Sequence, residues 1–207
     1  MKKRIHPNMH TLLSLMLAIV LAVSLVSLSA CTGGSNGNNT SGGGSSSGSG
    51  SGSTETLKGT TSELLSKLFE NAQAQLPAGN VLPAGLDDKI TAENCLGMLG
   101  LTPQQLEQYV EEATVSQAAI TSIAHQVALV KCKSSADAKT VKQLIADGFD
   151  SGRWICVFPE QSLVQESGSY VLLVASAKVN VEALKAGFSE LAKGNVGTPV
   201  VFYSGTD

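Results

Sequence analysis

The sequence predicts an α+β fold: a single compact domain with a small, mainly antiparallel sheet packed with helices. Three patterns carry the prediction. Leu64, Leu65, Leu68, Phe69 and Ala72 recur at helical spacing, as do Ala138, Val141, Leu144, Ile145, Gly148 and Phe149. The run Val127-Ala128-Leu129-Val130, within residues 125–132, is apolar at every position, as in a central strand covered on both faces. Residues 162–165 and 170–175 flank Glu166-Ser167-Gly168-Ser169, which reads as a hairpin with glycine in its turn and so as an antiparallel pair.

The elements follow in order. Thr60 and Glu63 make a capping box for the first helix, which stops before Pro77. Pro77, Gly79, Pro83 and Gly85 then mark a loop with Asp87-Asp88 at its end. A short helical piece is expected over residues 93–99. Thr102-Pro103-Gln104-Gln105 reads as N-cap, first-turn proline and N3 glutamine of another helix. Ser134 with Asp137 caps the helix that follows the apolar strand. A last helix is expected to start at the cap Asn180, bury Val181, Leu184, Phe188 and Leu191, and stop at Gly194. Residues 199–203 are expected to add an edge strand.

Ahead of this domain the chain has the three parts of an export signal. Lys2, Lys3 and Arg4 form a basic start, residues 12–28 an apolar run, and Ser29-Ala30 a small-residue end. The run has 17 residues, at the short limit for a spanning helix, which needs roughly 20. The stretch Leu28-Ser29-Ala30-Cys31 resembles the lipobox of bacterial lipoproteins. That resemblance implies cleavage between Ala30 and Cys31 and a diacylglycerol on the Cys31 thiol. Two acyl chains, at about 0.8 kcal/mol per buried methylene, hold a protein to a membrane far more firmly than one.

Residues 32–53 are only Thr, Gly, Ser and Asn, a composition that cannot bury apolar surface and is expected to form a disordered tether. Its 22 residues give a root-mean-square reach of roughly 25 Å. Two matches to the serine-hydrolase pattern G-x-S-x-G fall in it, at residues 33–37 and 44–48; with no strand before them and no helix after, they read as chance. The expected organisation is a signal peptide over 1–30, lipidated cysteine and tether over 31–53, and the folded domain over 54–207. That domain carries 11 basic against 17 acidic residues, a formal charge of −6, which argues against nucleic acid or an anionic lipid surface as partner.

Few residues in the domain suggest chemistry. His125 is its only histidine and has no companion at metal-ligand spacing, so a partly exposed structural role is expected, with no metal site and no cofactor. Cys95, Cys132 and Cys156 are an odd count in an oxidising compartment. Three buried free thiols are the expectation, with a Cys132–Cys156 bridge as the alternative if their strands are neighbours. The adjacent acids Asp87-Asp88 and Glu111-Glu112 read as solvated charge, since neighbours on a strand face opposite ways.

The most distinctive stretch is Ser151-Gly152-Arg153-Trp154-Ile155-Cys156-Val157-Phe158-Pro159-Glu160-Gln161. Its Arg153 and Trp154 are of the residue types enriched at interface hot spots and are candidates for partner binding, although a place in the core is the expectation for Trp154, as a common core anchor. This stretch, together with Lys131-Cys132-Lys133 and Gly168-Ser169-Tyr170-Val171-Leu172-Leu173, resembles a family of small Gram-positive lipoproteins known as a domain of unknown function, over residues 57–192. The resemblance implies a lipid-anchored location and an α+β fold, and it brings no site residues. The expected function is a binding or accessory module for a protein or cell-envelope component at the extracytoplasmic face of the membrane. An envelope hydrolase with a dispersed acidic site is the alternative, and solute capture is a third.

Overall fold

The structure is a computed structural model and describes residues 57–204. Cys31, its cleavage site and the Gly/Ser tract lie outside the described residues. The elements, in chain order, are α1 (Thr61–Gln75), β1 (Gly85–Lys89), α2 (Cys95–Leu99), α3 (Pro103–Tyr109), β2 (Val110–Ala118) and β3 (Gln126–Cys132). They continue as α4 (Ser135–Gly148), β4 (Gln161–Ser167), β5 (Tyr170–Ser176), α5 (Lys178–Leu191) and β6 (Val200–Ser204). The strands form one sheet in the order β1-β2-β3-β5-β4-β6, with every neighbouring pair antiparallel. The chain is therefore an α+β domain.

Alternation along the central strands builds two cores. On one face Ala128, Val130, Val171 and Leu173 pack with Ala138, Val141 and Ile145 of α4 and with Leu99 of α2. On the other, Val127, Leu129, Leu172 and Val174 meet Leu64, Leu65 and Leu68 of α1 and Val181, Leu184 and Phe188 of α5. A strand covered on both sides cannot show a polar face, hence the unbroken apolar run at 127–130. The capping box at Thr60 and Glu63 is present, as is that at Thr102 and Gln105.

Three expectations need correction. Asp87 and Asp88 lie within the exposed edge strand β1, not at the end of a loop. Residues 110–118, to which no element was assigned, form β2. Its apolar Ala113 and Val115 face one core, but the alternate positions are the hydroxyls Thr114 and Ser116; Thr114 Oγ1 lies 2.7 Å from Thr61 Oγ1 on α1. Half the period-two apolar signal is thereby lost. Finally, α5 begins two residues before Asn180, whose Nδ2 donates to Ser176 Oγ at 3.1 Å instead of capping the helix.

Register fixes one end of the sheet. Gln117 pairs with Gln126, Gln126 with Ala175, and Ala175 with Ser162, so the β2–β3 loop and the loop before β4 leave from the same edge. The chain enters at the opposite end, where the Tyr170 hydroxyl donates to Gly59 O at 2.8 Å.

Candidate binding surface

The loop over residues 149–160 joins α4 to β4 and is fastened along its length. At its start Phe149 is buried and caps α4 through its N–H to Ile145 O at 2.9 Å. The Asp150 carboxylate accepts from Gly152 N at 2.8 Å, and Ser151 Oγ donates to Ser162 Oγ at 3.0 Å. At its end Pro159 is buried, and Glu160 N donates to Ser176 O at 3.0 Å. The Glu160 carboxylate accepts from Lys178 N, in the first turn of α5, at 2.7 Å.

Arg153 and Trp154 are the middle fastening. The Trp154 ring meets Phe149 edge-on at 6.5 Å, and Phe149 meets Phe202 of β6 at 6.0 Å, so the loop joins the core on the α4 side of the sheet. The Arg153 guanidinium lies 5.5 Å from the Trp154 ring centre, donates to Gln126 Oε1 and reaches Met98 Sδ at 3.5 Å. Gln126 is held in turn by its donation to Met98 O at 2.7 Å and by Gln117 Nε2 at 3.1 Å. Burial lowers the Arg153 pKa, and nearby Asp150 pulls the other way. Both side chains are half-buried.

Between its two acidic ends, Asp150 and Glu160, the fastened loop presents apolar side chains outward. Ile155 is 95% exposed and Phe158 60% exposed. At the same end of the sheet the β2–β3 loop shows Ile120 and Ile123, in a stretch, residues 119–124, without a charged side chain. The structure brings these four exposed apolar side chains to this end of the sheet. The sequence pointed to this stretch and singled out its two inward-facing residues, but it placed Cys156 on a strand where the structure has a loop, so no neighbouring strand brings it to Cys132. Gly152 and Pro159, which bracket the exposed group, are the signal that it is a loop.

The other candidate residues are scattered. His125 is buried, not partly exposed: it faces α5 at 1% exposure, its Nδ1 2.8 Å from Ser176 Oγ, while Nε2 has no partner. Burial pulls its pKa down to about 4. The expectation of three buried thiols fails at Cys156, which is exposed in the loop; Cys95 and Cys132 are buried, and all three are free. Burial pushes the Cys132 thiol up to about 12, as an inert core residue requires. A cleft of about 360 Å³ is lined by Glu107, Glu111 and Glu112 with Ile90, Leu106 and Val110. Two of its acids are engaged structurally: Glu111 pairs with Lys131 at 2.8 Å, and Glu112 accepts from Thr61 N at 3.0 Å. Among the described residues no three His, Cys, Asp or Glu side chains group to hold a metal ion.

Comparison with protein-family models, with curated proteins and with solved structures finds no match.

Proposed function

We propose that this chain is a membrane-anchored extracytoplasmic lipoprotein whose domain acts as a binding or accessory module for a protein of the cell envelope. The lipobox and tether support the location, and the loop over residues 149–160 supports the activity. The observation that carries the reading is the division of labour in that loop: Arg153 and Trp154 turn inward and fix it, while Ile155 and Phe158 stand in solvent. A contact group fixed before binding loses little conformational entropy when a partner arrives.

The test is a photo-crosslinking amino acid at position 155 in intact cells, with position 67, on the exposed face of α1, as control. A discrete adduct from 155 and none from 67 is expected. No adduct at 155 in a chain that reaches the membrane sinks the binding reading. Replacing Cys31 by Ala tests the anchor separately: the domain is expected to leave the membrane fraction or to persist as an uncleaved precursor.

A further inference from the structure

The cleft of about 360 Å³ takes no part in the loop over residues 149–160. It opens where β1 stops. Lys89 still pairs with Thr114, and Ile90 N donates to Ala113 O at 2.9 Å, but the first residues of β2 have α3 beside them in place of a strand. A register shift between Val110 and Glu112 lets Glu111 out of the ladder. The lining is continuous with the core on the α4 side of the sheet: Ile90 and Ala113 are buried members of it, and Leu106 and Val110 pack against it. Glu107, Glu111 and Glu112 supply all the charge of the lining. Glu111 already holds an ammonium, that of Lys131, and Glu112 Oε2 accepts from Thr61 N. The exposed Glu107 carboxylate has no hydrogen bond or ion pair among the described residues; only its backbone carbonyl is used, by Lys133 Nζ.

We propose that this cleft binds an aliphatic primary ammonium, the group that a lysine side chain or a free alkylamine offers, as a second site independent of the loop. The methylenes cover Ile90, Leu106 and Val110 while the ammonium meets Glu107, in the manner of Lys131 on Glu111. Its volume is at the small end of ligand sites, which run from roughly 300 to 1,000 Å³, and suits a chain of a few carbons. Other charged ligands fit less well. A metal ion needs several oxygens at one point, and no three acidic side chains among the described residues group to hold one. A quaternary ammonium is recognised over aromatic faces, and none lines the cleft. An anion would meet three carboxylates with no base in the lining to offset them. Strand β2 runs from the cleft to the β2–β3 loop, so the site lies at the end of the sheet away from Ile155 and Phe158.

Methyl NMR of the full chain in detergent tests the site, with Ile90, Leu106 and Val110 as reporters and Ile155 as a control at the other end of the sheet. The probes n-pentylamine and Nα-acetyl-lysine methylamide are expected to shift the three cleft residues and leave Ile155 in place. The tighter of the two names the source, a free amine or a lysine side chain. Nα-acetyl-norleucine methylamide, with the same four-carbon stem as the lysine derivative and no charge, should bind at least fivefold more weakly than it. Glu107→Gln, at an exposed carboxylate that holds nothing in the fold, should weaken the amines at least fivefold, and Glu70→Gln, on the exposed face of α1, should not. The proposal is overturned if neither amine moves the cleft residues, if the norleucine derivative binds as well as the lysine one, or if Mg²⁺ shifts the same groups. Equal loss of affinity in the Glu70 and Glu107 variants overturns it as well, because the attraction would then belong to the domain's net charge and not to the cleft.

Discussion

The Nδ1 atom of His125, just before β3, and the Oγ atom of Ser176, at the end of β5, lie 2.8 Å apart in the interior. The ring's other nitrogen is buried without a partner. Such an imidazole resists protonation, because the charged form would lose its hydration and gain nothing in return.

Stability is therefore predicted to fall with acid through this residue. Its folded pKa of about 4 lies below the ordinary value of 6.5. Above pH 6.5 it is neutral in both states and costs nothing. Between 6.5 and 4 the unfolded chain binds the proton first, so stability falls as pH falls; below 4 both states are protonated and the loss is complete. The whole loss is on the order of 3 kcal/mol. Urea unfolding at a series of pH values is expected to show a shallower limb across this window in His125→Gln than in the wild type. Parallel limbs in the two proteins would contradict the assignment.

Gly100 and Gly148 give a second test. Gly100, at φ +73°, closes α2 against the end of α4, and a Cβ on it would lie 2.1 Å from Gly148 C. A Cβ on Gly148 would lie 2.5 Å from Gly100 O. The contact is backbone against backbone and cannot be relieved by a rotamer change. Gly100→Ala is expected to destabilise by at least about 2 kcal/mol, from overpacking together with the left-handed conformation. Gly97→Ala, with open space around the new methyl, is the control and should be near neutral in thermal melts.

What the sequence disclosed follows from how local each signal is. The caps at Thr60, Thr102 and Ser134, the covered strand at 127–130 and the hairpin at Gly168 each fit within a dozen residues, so each was legible. The strand β2 was not, because Thr114 and Ser116 satisfy their inward positions with hydroxyls. Strand β1 hid behind Asp87, Asp88 and Lys89, charges that suit an edge and discourage pairing with another chain. In the candidate surface, residue type drew notice to Arg153 and Trp154. Their direction could not be read, since Arg153 finds its partners 27 and 55 positions away at Gln126 and Met98.

Lys142 and Glu166 join α4 to β4 at 2.7 Å, with their side chains 16% and 12% exposed. Removing one charge of so enclosed a pair leaves the other unpaired. Lys142→Met and Glu166→Leu are each expected to cost about 3 kcal/mol, and the double variant much less than their sum. A double-mutant cycle in urea measures this; additive costs would mean that solvent already screens the pair.

Adjacent residues 154 and 155 should separate stability from binding. Trp154 lies against Phe149 and the core, so Trp154→Ala is expected to cost about 2 kcal/mol, less than the roughly 3 to 5 of a fully enclosed tryptophan because part of it remains in solvent. Ile155 makes no such commitment, and Ile155→Ser should stay within about 0.5 kcal/mol of the wild type. The fluorescence of Trp154, the only tryptophan, offers an independent check: emission between the buried and fully hydrated extremes, with partial quenching by iodide. In photo-crosslinking from position 158 the order reverses. Ile155→Ser removes a contact from an intact loop and should lower the adduct yield in a protein that melts like the wild type. If Ile155→Ser instead melts early, the loop is held from its outer side as well, and its exposed face is not a free binding surface.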